Sequence, residues 1–369
     1  MVQICRTQET RTGDRRVRRA STMVVASVAA RPSIDARALG SVARNAGGRL
    51  ATARRDVVVR ATRASNRTFA GEAGAMKVAV AGAGGRTGSL VVKRLAESAS
   101  FAPPKGLVRS SKSADKLRKA LGDLSAELVQ GDVSDANALA DLCAGCDALV
   151  ILTSAVPKPR LASIALALVS KLLPFMENRR PEFFFPEGGS PEKVDWLGQK
   201  AQVDAALSGG VRKIVLVSSM GGTQVDNFLN TMGAGGEVGE ANILLWKRKA
   251  EMYLIEKCSE TNGKTSFVIV HPGGLLDKPG GERELLVGVD DALLDGDRRS
   301  VPRADVAEMV VKALEADAIA NVSFDLASRE PGEGEAPPKS REDFSRLVAS
   351  LGGSTADYAK PRKSPVPLP

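Results

Sequence analysis

The chain has 369 residues, 43% of them hydrophobic, and a mildly negative mean hydropathy, which suits a globular protein with ample core; no apolar run reaches the ~18 residues a membrane span needs. Its net charge of +9 points to nucleic acid until it is mapped, because residues 1–75 hold fifteen arginines and five acids while the remainder has 37 bases and 38 acids. The basic excess belongs to the front of the chain, and nucleic acid is excluded as the partner of residues 76–369.

That front segment is rich in Arg, Ala and Ser, poor in acids, and lacks the continuous apolar core of a secretory signal. It reads as an organellar transit peptide, with chloroplast and mitochondrion both open on composition and a retained basic arm as the alternative. Removing it leaves about 300 residues, the size of one enlarged α/β domain. The expected organisation is a leader over 1–75, a nucleotide-binding domain over 76–330, and a C-terminal helix and tail over 331–369.

Residues 77–88, KVAVAGAGGRTG, run from an apolar strand into glycines and then into the helix-like SLVVKRLAES. A backbone without Cβ turns sharply there and approaches a pyrophosphate, whose charge meets the free N–H groups of the helix start. Gly82, Ala83, Gly84, Gly85, Arg86, Thr87 and Gly88 are therefore read as the phosphate cradle of a dinucleotide, with GxxGxxG spacing.

A second strand over 105–109 ends in Arg109, about twenty residues beyond the last glycine, where a base favours the 2′-phosphate of NADP(H) over a ribose hydroxyl. Arg86 and Lys112 are its expected helpers. A helix over 113–121 and a strand over 127–130 come next. Asp132 then stands where it accepts a hydrogen bond from the adenine amino group, and Ser134 is the expected N-cap of a helix over 135–142. The run DALVILT at 147–153 reads as a strand buried on both faces, with Leu152, Thr153 and Ser154 beneath the cofactor. The repeated alternation implies a doubly wound parallel sheet with its ligand at the strands' carboxyl ends.

Residues 156–190 interrupt this pattern with an apolar, helix-prone stretch and three prolines. They read as an insertion that covers the substrate mouth or packs against a protein partner, a short membrane-surface helix being the alternative. Order returns with a helix over 191–208, a strand over 213–219, a glycine-rich loop over 220–240, a helix over 241–258, and a strand over 266–270 ending in His271-Pro-Gly-Gly. Residues 272–300 read as a substrate-side extension, succeeded by a helix over 303–316, a strand over 322–326, a helix near 341–350 and a proline-rich tail. Cys143 and Cys146 form a lone CxxC, Cys258 stands alone, and no metal site is expected. The pair reads as two small buried residues.

Taken together, GAGGRTG, LVRS (107–110), GDVSD (131–135), ALVILTSAVPK (148–158), PEKVDWLGQK (191–200), SSMGG (218–222), WKRKAE (246–251) and GGLLDKPGG (273–281) resemble the atypical short-chain dehydrogenase/reductases. The similarity is to plant NAD(P)-binding proteins of the NmrA-like and biliverdin-reductase-like branch, many of them plastid-located. It implies an extended Rossmann fold holding NADP(H), and adds Val133, Lys249 and the backbone of Pro272, Gly273 and Gly274 to the cofactor pocket. It also brings residues 275–277 toward the nicotinamide end.

In that family's usual chemistry a Ser polarises a carbonyl, a Tyr delivers the proton, and a Lys four residues on holds the ribose. The resemblance gives the first role to Ser218 or Ser219 and the third to Lys249, which puts Leu245 where the phenol belongs. Two substitutes are Tyr253, one turn along the helix, and His271; each also reads as a packing residue. The resemblance thus implies an NADPH-dependent oxidoreductase acting on a small conjugated acceptor that takes its proton from solvent: a quinone, flavin, tetrapyrrole or activated double bond. The alternative is a catalytically silent NADP(H)-binding redox sensor or organellar assembly factor.

Overall fold

A computed structural model describes residues 74–172, 181–233, 241–296 and 299–359. The leader up to residue 73, the tail from residue 360, and residues 173–180 and 234–240 of the expected insertion and loop lie outside them.

Short apolar runs alternate with amphipathic stretches to give β1 (Val78–Ala81), α1 (Arg86–Glu97), β2 (Lys105–Val108), α2 (Ser111–Leu121), β3 (Glu127–Gln130), α3 (Ala136–Cys143) and β4 (Ala148–Ile151). Beyond β4 lies an excursion: β5 (Lys158–Pro159), α4 (Leu161–Leu172) and β6 (Phe183–Phe184), with β5 antiparallel to β6. A π-helical turn, Glu192–Gly198, runs into α5 (Gln199–Ser208), and then come β7 (Lys213–Val217), the short α6 (Phe228–Thr231), α7 (Ile243–Glu260) and β8 (Ser266–Pro272). The chain continues through β9 (Gly274–Leu276), β10 (Leu285–Gly288), a 3-10 turn (Ala292–Asp295) and β11 (Ser300–Pro302), and ends with α8 (Arg303–Glu315), β12 (Val322–Ser328) and α9 (Arg341–Ala349).

The strands line up as β3-β2-β1-β4-β7-β8-β12-β11-β9, and the first seven are parallel neighbours. Every residue of β1, β4 and β7 is buried, because helices cover both faces. Val78, Val80, Val150 and Val215 face α1 and α8, whereas Ala79, Leu149, Ile151 and Leu216 face α3, α5 and α7. The order reverses between β1 and β4, and this topological switch point opens a crevice at the carboxyl edge. The substrate-side extension forms β9, β10 and β11, at or beside the opposite end of the sheet.

Three local expectations are corrected. The N-cap of α3 is Asp135, whose carboxylate accepts from the N–H groups of Asn137 and Ala138. Ser134 instead gives both its N–H and its hydroxyl to Asp132, because that carboxylate lies two residues back in a tight turn. The helix expected over 191–208 opens with a π-helical turn. β8 runs two residues further than expected, which carries His271 into the sheet opposite Asp325 of β12. Cys143, Cys146 and Cys258 are all free and buried, and burial pushes the Cys143 and Cys258 thiols up to about 12.

Candidate functional site

The turn between β1 and α1 tolerates no side chain at its two ends. Gly82 has φ +82, and a Cβ there would lie 3.0 Å from the backbone of Leu152; a Cβ on Gly88 would overlap the Gly82 carbonyl. The strand–turn–helix closes through Gly85 N–H donating to Gly82 O (2.9 Å) and Ala83 N–H to Leu107 O (3.2 Å). Gly106 of β2 supplies the room for Ala83, since a Cβ there would come within 2.8 Å of it. Gly84 lies against the Ser113 side chain. Gly85, the N-cap of α1, has no side-chain cap, and no acid occupies the first turn. A cradle that a Cβ would fill, beneath an uncapped helix start, fits a dinucleotide pyrophosphate.

Thr87 is half-buried in that turn and Arg86 is exposed. Arg86 pairs with Asp277, whose other oxygen takes Arg303 Nη1 at 2.8 Å. The residues expected near the nicotinamide are therefore tied to the phosphate turn. Arg109 lies exposed one residue past β2, beside Ser110, which caps α2. Asp132 stands just past the end of β3, engaged with Ser134 and next to buried Val133.

The end of β4 is held by a polar scaffold that no sequence motif announces. Leu152 N–H donates to Ala81 O at 3.0 Å. Thr153 O accepts from Gln199 Nε2 (2.9 Å), and Thr153 Oγ1 from Gln202 Nε2 (3.1 Å). One residue past the exposed Ser154, the Ala155 N–H donates to Asp195 Oδ2 at 3.0 Å, and Asp195 Oδ1 pairs with Lys247 Nζ at 2.8 Å. Asp195 is fully buried and Lys247 nearly so. Burial pushes the Asp195 carboxyl up against the pull of Lys247. Lys249, by contrast, sets its ammonium over Trp196 (4.6 Å) and Trp246 (5.3 Å). The lysine of α7 that reaches the end of β4 is Lys247.

A second buried polar cluster lies where β7, β8 and β12 end. Ser218 donates its hydroxyl to Glu251 of α7, and the other Glu251 oxygen meets Tyr358 Oη (2.9 Å) and His271 Nε2 (3.2 Å). His271 Nδ1 lies 3.3 Å from Asp325 Oδ1. Asp325 Oδ2 in turn accepts from the N–H of Asp291, whose carboxylate caps the Gly221–Thr223 turn. Burial alone would lower the His271 pKa, but Glu251 and Asp325 outweigh it and keep the imidazolium protonated. Burial works against Glu251 too, and His271 with the hydroxyls of Ser218 and Tyr358 keeps it ionised.

The other sequence candidates are distributed around this cluster. Ser219 is half-buried, its hydroxyl donating to Met220 O at 3.0 Å. Pro272 O accepts from Met220 N–H (3.1 Å), Gly274 N–H donates to Arg299 O (2.7 Å), and a Cβ on Gly273 would overlap that same Arg299 carbonyl. Tyr253 is elsewhere: its hydroxyl donates to Asp204 of α5, with Lys200 over its ring at 4.8 Å. Leu245 is buried.

A profile of the family described as NAD(P)H-binding matches residues 82–317. The chain is 44% identical over 276 residues to an uncharacterized chloroplastic protein of Arabidopsis thaliana, covering 75% of each. It is 42% identical over 280 residues to sanguinarine reductase of Eschscholzia californica, covering 74% of this chain and 96% of that one. A solved structure, a proposed NAD-dependent epimerase/dehydratase from Bacillus halodurans, superposes with a TM-score of 0.51 at 18% identity over 75% of this chain and all of that one, a likeness of fold.

Proposed function

Because the chain belongs to the NAD(P)H-binding family, among the atypical plant short-chain dehydrogenase/reductases, we propose that it is an NADPH-dependent reductase of a conjugated acceptor, a quinone, flavin, tetrapyrrole or activated double bond. A relative that carries a reductase's name supports the reaction class. The carrying observation is what stands where a proton donor would. Four residues before Lys247 is Ile243, and four before Lys249 is Leu245; both are buried and neither holds a proton to give. Alcohol–ketone chemistry needs such a donor, and an acceptor that collects its proton from water does not.

Bound nicotinamide supplies the hydride. The chain's own part is to hold and orient. The 82–88 turn and the start of α1 take the pyrophosphate, and Arg109 takes the 2′-phosphate. Asp132 and Val133 line the adenine side, and Leu152, Thr153 and Ser154 form the floor. Lys247, with its charge offset by Asp195, is the group proposed for the ribose hydroxyls in place of Lys249. Ser219 and the Pro272, Gly273 and Gly274 backbone face the acceptor side, with Ser218 and His271 fixed beneath it.

Turnover tests this reading: NADPH oxidation with a panel of quinones, flavins and bilins is expected to be sustained with at least one class. Tight NADPH binding with no turnover on any acceptor would favour the second reading, a redox sensor, for which the engaged nitrogens of His271 and the missing phenol speak. Replacing Lys247 by Met together with Asp195→Asn, so that no lone charge is left buried, is expected to cut turnover about 10–100-fold, the worth of a hydrogen bond from a charged donor. Lys249→Met should change it by no more than about twofold, its ammonium lying over two indoles at half-exposed positions. Equal losses for the two would remove Lys247 from its role.

Arg109→Ala is expected to weaken NADPH about 10–100-fold and NADH by no more than about twofold, since only the former carries a phosphate for the guanidinium. Calorimetric titration checks it, and equal losses would undo the preference for NADP(H). The leader is assigned as a plastid transit peptide, in keeping with relatives named as chloroplastic, which leaves the mitochondrial alternative without support.

A further inference from the structure

The excursion between β4 and the π-helical turn carries an apolar surface that the nucleotide site does not use. On α4, Leu161 is 81% exposed, Leu168 59% and Val169 44%, and Leu166, Ala162 and Ala165 are exposed with them. At about 100° per residue these six positions form one continuous arc of roughly 160°. Only the other side, through Ala167 and Ser170, is buried. Val156, 66% exposed, extends the apolar surface at its near end.

Charge decides what covers it. From residue 155 to residue 172 the chain has three bases, Lys158, Arg160 and Lys171, and no acid. Lys158 is exposed, and Arg160, with Glu182 at 3.9 Å, keeps 62% of its side chain in solvent. An occupant must therefore be anionic as well as apolar. The chain's own remaining segments are not: the leader has fifteen Arg against five acids, and residues 360–369 hold three bases and no acid. A second copy would bring the same bases to the contact. The arc is also all Leu, Val and Ala, without the Trp, Tyr or Arg anchors that carry protein–protein affinity. Twelve residues reach about 18 Å, too short to cross a bilayer and suited to lie in its interface.

We propose that α4 docks this protein on an anionic lipid surface, with Leu161, Leu168 and Val169 entering the acyl boundary and Lys158 and Arg160 meeting the headgroups. This stands independently of the reductase reading, and NADPH affinity is measured on the same samples to keep the two apart.

The test is co-sedimentation of the full chain with phosphatidylcholine vesicles, with or without about 30% phosphatidylglycerol. The variant Leu161→Ser/Leu168→Ser is expected to partition at least tenfold less, with NADPH affinity unchanged. The difference should persist at about 0.5 M KCl, where adsorption through exposed arginines is screened. Lys158→Gln/Arg160→Gln should lose most of the preference for the anionic vesicles. Wild-type partitioning by the double serine variant would overturn the proposal. So would a wild-type dimer that the same variant converts to monomer, which would make the arc an interface between copies.

Discussion

Replacing Gly88 by alanine is expected to leave the chain folded and raise its Kd for NADPH at least about 100-fold, the loss of two or more hydrogen bonds to a charged group. The new methyl would overlap the Gly82 carbonyl, so the first turn of α1 must move away from β1. That movement breaks what the turn is built for, since Gly85 N–H to Gly82 O and Ala83 N–H to Leu107 O together aim the helix start at the crevice. The stability cost is smaller, about 1–3 kcal/mol for overpacking, because α1 remains anchored through Val91, Val92 and Leu95. Gly145→Ala is the control. It sits at φ +68 with nothing within 4 Å of a new Cβ, so it is strained by about 1 kcal/mol without touching the cradle. Calorimetric titration with NADPH, alongside circular dichroism, separates the effects. Native affinity in the Gly88→Ala chain would remove the phosphate assignment of this turn.

The doubly wound sheet is legible in the sequence because its central strands are buried on both faces and are written as unbroken apolar runs such as ALVI. Residues just past strand ends are equally legible: Arg109 and Asp132 fall at the carboxyl edge in the structure because β2 and β3 end where the apolar runs end. What fails to show is what depends on contacts between distant elements. Lys247 and Lys249 differ by two positions on one helix, and only Asp195, from the π-helical turn, tells them apart. Helical periodicity on α7 is uninformative here because charged side chains are buried on it: Lys247, Arg248 and Glu251 all point inward. Glu251, Asp325, Asp291 and Tyr358 come from α7, β12, the segment after β10 and the residues beyond α9, so no spacing in the sequence joins them to Ser218 or His271. Ser134 misleads for a local reason. Three neighbouring side chains, Asp132, Ser134 and Asp135, all suit a cap, and the carboxylate behind Ser134 takes its hydroxyl.

The buried charge cluster carries the other large expected effect. His271→Gln should destabilise the protein by about 3–5 kcal/mol, because it leaves Glu251 and Asp325 as uncompensated carboxylates with almost no solvent. The two shifts set the direction with pH. His271 is raised above its ordinary value of 6.5, so its contribution is complete below that value and fades as pH climbs through the raised one. Glu251 is lowered below 4.5, so its contribution is complete above 4.5 and fades only as pH falls through the lowered value. Both are present between those two ordinary values, and the alkaline side is where the pair weakens. Urea unfolding of wild type and His271→Gln should therefore show the widest gap near pH ~6 and a narrower one near pH ~9.5. Adding Glu251→Gln to His271→Gln should recover at least about 1 kcal/mol at pH ~6, since one stranded carboxylate is then gone. A gap that stays constant across this range would mean a neutral imidazole. Ser218, Tyr358 and Glu251 would then form a hydroxyl–carboxylate network with no cation at its centre.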